Sequence, residues 1–278
     1  MQWTADAQAA IRKVPFFVRK KVISRVEKEA AEAGLPVVNL AQVNASRRRF
    51  LARMDSEIKG YQLDTCFGAG GCPNRALAGD SLVTRLEATL ASADLLGFLR
   101  RHVDGPLKYH HELRVTVAEC PNACSQPQIK DIGIIGTTPV VATSADCSAC
   151  LACSDACPDD AVEVDATPRP AIDTRRCLDC GRCANACPTG AITAGPPLYR
   201  VLLAGKLGRH PRLAWPLPGL HDEDQAVAIV RACLEYYQAH SRGGSRFATV
   251  FDDAAFSRMA ERFPPHPCSV QTTATLSG

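Results

Sequence analysis

The sequence predicts an α+β fold: a sheet domain interrupted by a small cysteine-rich insert and preceded by a helical segment. Three observations predict it. Apolar residues recur at helical steps near the start of the chain. Short β-branched runs follow from residue 111 onward. Twelve of the 14 cysteines fall into three sets of four. The 278 residues suit one large domain or two to three smaller ones.

Residues 3–33 read as helix, because Ile11, Val14, Phe17, Val18 and Val22 make one apolar stripe. Pro15 marks a kink or break within it. Asn39 caps a second helix, with Gln42 three residues on as in a capping box. Residues 60–79, rich in Gly and Cys, read as a loop. Asp80 opens a third helix that runs to about Arg101. Leu113, Val115 and Val117 alternate with Arg114 and Thr116 as in a strand. Ile132–Ile135, Val140–Ala142 and Tyr199–Leu203 read as further strands, and 144–192 as a compact insert. Asp222–Tyr237 reads as helix, Phe247–Phe251 as strand and Asp253–Phe263 as a last helix. The tail 264–278 is expected to be mobile. The domains expected are 1–60, 61–143 with 193–263, the insert 144–192, and that tail.

No run approaches the roughly 18 apolar residues of a membrane helix, so no membrane insertion is expected. Arg12 and Lys13 lead into a charged stretch rather than the apolar core of a signal peptide. A cytoplasmic protein is expected. The net charge of +3 hides a split. Residues 1–60 carry 12 Lys/Arg and 6 Asp/Glu, a balance of +6. Residues 144–192 carry 8 acidic and 4 basic side chains, a balance of −4. An acidic segment full of cysteine suits docking to a redox donor protein or subunit. Nucleic acid has only the basic N-terminal charge in its favour, and none is expected as a partner.

Cys147, Cys150, Cys153 and Cys157 are followed by Pro158, and Cys177, Cys180, Cys183 and Cys187 by Pro188. Each unit is C-x2-C-x2-C-x3-C-P, the run that holds the two cubanes of bacterial ferredoxins. In that run the fourth cysteine ligates the other cluster. Cys147, Cys150 and Cys153 are therefore assigned with Cys187, and Cys177, Cys180 and Cys183 with Cys157. Zinc also favours CxxC pairs, but does not ask for a third cysteine at each one. Small residues between the ligands let backbone amides approach the sulfides. Val162–Val164 and Ala171–Asp173 fit a hairpin between the halves.

The third set is Cys66 and Cys72, separated by five residues, with Cys120 and Cys124, separated by three. The local text is TCFGAGGCPNRA and AECPNACSQPQIKDIGIIG. This constellation resembles the siroheme/[4Fe-4S] domain of the sulfite and nitrite reductases. The dissimilatory and anaerobic sulfite reductases are the nearest group, since they too carry a double-cluster insert after the motif. The resemblance implies a sulfite-reductase-like siroheme domain with an inserted 2[4Fe-4S] ferredoxin domain and a small helical N-terminal domain. It also implies that Cys124 bridges the third cubane to the siroheme iron. Asn122, Gln128, Lys130 and Asp131 continue the matching text, and Leu202–Ala214 resembles the family's Gly-Lys-Gly-Arg siroheme contact. Siroheme carries many carboxylates, so its pocket needs basic donors. Lys130, Lys206, Arg209 and Arg212 are the candidates, with Arg75 beside Cys72.

The family reads its oxyanion substrate with basic side chains on the strand before C-x3-C. Here Arg114 and Glu112 occupy the two positions, with Lys108 and His110 earlier on the same alternating face. A carboxylate there would repel a dianion. Arg114, Lys108 and His110 are the substrate-side candidates, and one of His110 and His111 is a candidate proton donor.

The segment WTADAQAAIRKVPFFVRKKVISRVEKEA resembles the small C-terminal module of the light-independent protochlorophyllide reductase B subunit. That resemblance implies a basic helical cover over a carboxylated tetrapyrrole, with Arg19, Lys20, Lys21, Arg47, Arg48 and Arg49 as its charges. Only about 60 residues precede Cys66, whereas the reductase family usually supplies a ferredoxin-like module there. A second subunit is therefore expected to complete the cleft, in an oligomer. The reading is a siroheme-dependent reductase, or one component of such an enzyme, acting on sulfite, nitrite or a related small oxyanion. Two ferredoxin-type clusters would relay electrons to the third. The rival is an iron–sulfur electron-transfer or tetrapyrrole-handling protein with no substrate chemistry of its own.

Overall fold

The structure, a computed structural model, describes residues 1–165 and 169–270, the last two without their side chains. The chain divides into two compact units: Met1–Ile58 with Val103–His110, and Lys59–His102 with the residues from His111 onward.

The first unit is three helices and a minimal sheet. Strand β1 (Gln2–Trp3) lies parallel to β2 (Val37–Val38), an element too short to leave a periodic signal. Helix α1 (Ala5–Arg12) ends just before Pro15, and α2 (Phe16–Glu32) begins just after it, so the proline separates two helices. The third helix, α3 (Leu40–Glu57), opens on a full capping box: Asn39 Oδ1 accepts from the Gln42 amide and Gln42 Oε1 accepts from the Asn39 amide. Ala7, Val26, Ala30 and Val38 form its small core.

The second unit is built on a five-stranded mixed sheet, ordered β11-β10-β5-β4-β3. Strand β3 (Tyr61–Thr65) is followed by α4 (Asp80–Ser92), α5 (Leu95–His102), β4 (Leu113–Ala118) and β5 (Ile132–Thr137). Strands β3, β4 and β5 are parallel, with Thr65 opposite Val117 and Val117 opposite Ile134. All six residues of β5 are buried, as a strand covered on both faces requires. Next come β6 (Val140–Ala142), α6 (Ala152–Asp155), β7 (Val162–Val164), β8 (Pro170–Ile172), α7 (Arg182–Ala186) and β9 (Ile192–Ala194). The chain then returns to the sheet through β10 (Leu198–Leu203), antiparallel to β5, and β11 (Trp215–Pro216). Helices α8 (Glu223–His240), α9 (Phe247–Val250), α10 (Asp253–Arg262) and α11 (Pro267–Val270) close the chain.

Leu82, Leu86 and Leu90 form the buried face of α4, which packs against α8. Arg85 ties the two helices together, reaching Glu223 at 2.9 Å and Asp224 at 2.7 Å. Cys233 is buried on α8, and burial pushes its thiol well above the usual range.

Several expectations change. Residues 61–65, read as loop, form strand β3. The helix expected from Asp80 to Arg101 is two helices, broken at Asp94, whose φ of +45° lies in the left-handed region. Phe247–Val250, read as strand, is helical, because one helical turn stacks Phe247 on Phe251 at 4.8 Å. Of the tail, residues 267–270 are helical, and 271–278 lie outside the described residues.

Candidate iron–sulfur centre

The parallel pairing of β3 and β4 explains how two loops 52 residues apart come together. Thr65 and Val117 lie side by side, so Cys66 and Cys120 leave the same edge of the sheet. The Cys66 amide continues the ladder to the Val117 carbonyl at 3.1 Å. The Cys66 thiol accepts from the amides of Glu119 at 3.3 Å and Gly68 at 3.4 Å. At Cys120, burial pushes the thiol up, and the charges of Cys66, Cys124 and Cys72 add to it. Cys124 is the exposed member of the four, and Asn122 Nδ2 donates to its sulfur at 2.9 Å.

In the 144–192 segment the two cysteine runs have matching backbones. Ala149 and Leu151 have φ of +53° and +62°, and Asp179 and Gly181, thirty residues on, have +58° and +75°. Each left-handed pair brackets the second cysteine of its run and leads into a one-turn helix, α6 or α7. This repeated turn is strained at Leu151. At Gly181 no such strain arises, and a side chain there would crowd Thr138. Burial pushes Cys183 up to about 12 and Cys177 up to about 11, with the charge of Cys157 adding to both. Burial also raises Cys153, with the charges of Cys187 and Cys147 adding. Cys187 falls to about 7 because the amides of Ile192, Thr189 and Gly190 hydrogen-bond its thiolate. The fourth cysteine of each run thus acts across to the other run, Cys157 on Cys177 and Cys183 and Cys187 on Cys150 and Cys153.

Among the described residues, no three His, Cys, Asp or Glu side chains converge as ligands of a single ion do. A cubane asks for a wider set, each thiolate holding a different iron.

The second run faces the third cysteine set. The Thr138 amide donates to the Asp179 carbonyl at 2.6 Å and its hydroxyl to the Ala76 carbonyl at 2.8 Å. Arg182 Nη2 donates to Asn74 Oδ1 at 2.6 Å, and Arg200 lies 3.7 Å from Asp179. Asn74, Thr138 and Arg182 escaped the sequence reading, since only folding makes them neighbours.

The basic candidates divide. Lys130 Nζ is bound to Asp64 Oδ2 at 2.6 Å. Arg212 donates to the carbonyls of Ala204, Ala248 and Phe251 and lies over the Trp215 ring at 4.0 Å. Lys206 is half-buried and Arg209 exposed, on a turn closed by paired bonds between the Lys206 and Arg212 backbones. Arg75 lies 3.9 Å from Glu119. On the substrate side, Arg114 belongs to the second unit and Lys108 and His110 to the first. Arg114 Nε is buried without a hydrogen-bond partner among the described residues. Glu112 is buried, its oxygens accepting from the Lys59 amide at 2.9 Å and from Gln62 Nε2 at 2.7 Å. Its carboxylate therefore faces inward to these donors.

Three thiol sets in a mixed helix-and-sheet frame define an iron–sulfur protein of the oxidoreductase class. Residues 61–263 match the nitrite and sulphite reductase 4Fe-4S domain, and the chain belongs to that family. Residues 3–47 match the proto-chlorophyllide reductase 57 kD subunit family. The C subunit of anaerobic sulfite reductase from Salmonella typhimurium is 31% identical over 138 residues, 48% of this chain and 39% of the relative. The matched region thus spans about two fifths of that relative's length. The B subunit of light-independent protochlorophyllide reductase from Chlorobium chlorochromatii is 52% identical over 40 residues, 14% of this chain and 7% of that one. Dissimilatory sulfite reductase I gives a TM-score of 0.45 at 13% identity, over 80% of this chain and 58% of the other. No helix among the described residues is long and apolar enough to cross a membrane.

Proposed function

We propose that the chain is a siroheme-dependent reductase, or one component of such an enzyme, acting on sulfite, nitrite or a related small oxyanion. The observation that carries the reading is the exposed Cys124 thiol at the edge of an otherwise half-buried set of four. Cys66, Cys72 and Cys120 would hold a cubane from within the loops, and the exposed Cys124 would link it to the tetrapyrrole. Such a pair of joined centres supplies single electrons to a bound oxyanion. Lys206 and Arg209 are the donors available for the tetrapyrrole carboxylates, and Arg75 is a further one. Lys130 and Arg212 are already engaged, by Asp64 and by main-chain carbonyls.

Cys147, Cys150, Cys153 and Cys187 hold one further cubane, and Cys177, Cys180, Cys183 and Cys157 the other. The second of these is the inner one, because Asp179 and Arg182 beside its ligands bond to Thr138 and Asn74. A donor protein would deliver electrons at the first set, and they would pass inward. Arg114 serves the substrate from the second unit, in a cleft that a second subunit completes. The Salmonella relative is by name one subunit of an anaerobic sulfite reductase, which supports an assembly of this kind.

One observation favours the rival reading, an electron-transfer or tetrapyrrole-handling protein. Glu112 is committed to Lys59 and Gln62, so a carboxylate occupies the position where a second basic side chain would be expected beside Arg114.

The absorption spectrum of anaerobically purified protein, expressed with siroheme available, tests the proposal. Soret and red-region bands are expected, and Cys124→Ser is expected to lose them while the ferredoxin-type clusters remain. A wild-type spectrum of cubanes alone would overturn it. Sulfite and nitrite added separately to the reduced protein then distinguish the two readings by turnover.

A further inference from the structure

We propose that Glu119, which no sequence signal marks, is the positioning residue that clamps the Cys66–Cys72 loop against the Cys120–Cys124 loop and gives the third cubane a buried negative neighbour. The inference rests on the third-cluster reading for its second half and on geometry alone for its first.

Glu119 immediately precedes Cys120 and is 6% exposed. Its backbone amide donates to the Cys66 thiol at 3.3 Å. Its carbonyl accepts from the amides of Ala76 at 2.8 Å and Leu77 at 3.4 Å, at the far end of the same loop. The side chain repeats this bridge: Oε1 accepts from the Gly79 amide at 2.9 Å. One residue thereby touches the loop that carries Cys66 and Cys72 at its beginning and its end. Gly68 lies so close that a Cβ there would overlap Oε2. This close approach explains why the residue two beyond Cys66 lacks a side chain.

The second oxygen is distinctive. Among the described residues Oε2 is buried without a hydrogen-bond partner, and the counter-charge it meets is Arg75 Nε at 3.9 Å. A carboxylate held this way is poorly neutralised, and it lies against the Cys66–Cys72 loop on the residue next to Cys120. Negative charge near a cluster opposes the arrival of an electron, so it lowers the reduction potential. Glutamine has the same shape and its carbonyl can still accept from Gly79, so it removes the charge and keeps the clamp. Alanine removes both.

Full-length wild type, Glu119→Gln and Glu119→Ala are compared by iron content, by redox titration of the cluster's paramagnetic signal, and by hydrogen exchange at the Gly79 amide. In Glu119→Ala the Gly79 amide is expected to exchange at least about tenfold faster, and about a third of the iron to be lost. Glu119→Gln is expected to retain iron and amide protection while the third cluster's midpoint moves upward. Unchanged Gly79 protection in Glu119→Ala would overturn the clamp. An unmoved midpoint in Glu119→Gln would overturn the charge role. A wild type lacking the third cluster's signal would instead count against the cluster reading, and the exchange measurement would still decide the clamp.

Discussion

Arg182 donates to Asn74 across 2.6 Å, joining the helix that carries Cys183 to the loop that follows Cys72. Both side chains are exposed, so the bond is worth little to stability, about 1 kcal/mol or less. Its consequence is placement. Arg182→Ala is expected to melt within about 1 kcal/mol of wild type and to pass electrons more slowly from the proposed ferredoxin-type centres to the proposed third one. Stopped-flow reduction by dithionite, followed at the third centre's own bands, measures this. Equal rates in the two proteins would remove Arg182 from the contact that sets the path.

Much of the site was legible because its signals are local. Cysteine spacing survives any fold, and the capping box at Asn39 and Gln42 acts within one turn. What the sequence reading missed depends on distant partners. Strand β3 sits in a Gly- and Cys-rich window, and only its pairing with Leu113–Val117 makes it a strand. Phe247–Phe251 has β-type side chains, yet stacking of its two phenylalanines and their contacts with Tyr237 and Tyr236 favour a helical turn. The inward position of Glu112 was likewise invisible, since Lys59 and Gln62 lie 50 or more residues away.

Gly68 stands where the Glu119 carboxylate leaves no room for a side chain. Gly68→Ala must push the carboxylate or the loop aside, at about 1–3 kcal/mol for an overpacked site. A lower denaturant midpoint is expected, together with loss of iron from the third set and retention of the other two. If iron and midpoint both match wild type, the close approach has no structural weight.

Asp131 joins three segments from a buried position. Its oxygens accept from the Arg114 amide at 3.0 Å and the Ala248 amide at 3.4 Å, and Arg246 lies 3.7 Å away. Burial pushes its carboxyl up, against the pull of Arg246 and the two amides. Asp131→Ala leaves the Arg246 charge and both donors without their partner, an expected loss of about 3–5 kcal/mol. Urea unfolding should show a lower midpoint with an unchanged slope. Asp131→Asn keeps the volume and one acceptor, and should fall between alanine and wild type.

His221 is fully buried, and neither ring nitrogen has a hydrogen-bond partner among the described residues. Burial holds its pKa below the ordinary 6.5, with adjacent Asp222 opposing the shift. The unfolded chain therefore takes up a proton near pH 6.5 that the folded chain refuses. Stability from this group is fully present above that pH and is lost as pH falls from 6.5 toward the depressed folded value. His221→Phe replaces the two unpartnered nitrogens with carbon of similar shape, which is expected to be neutral or stabilising at pH 7.5. Between pH 7.5 and 5.5 the melting temperature of wild type should fall further than that of the variant. Parallel curves would mean that His221 takes its proton equally well in the folded state.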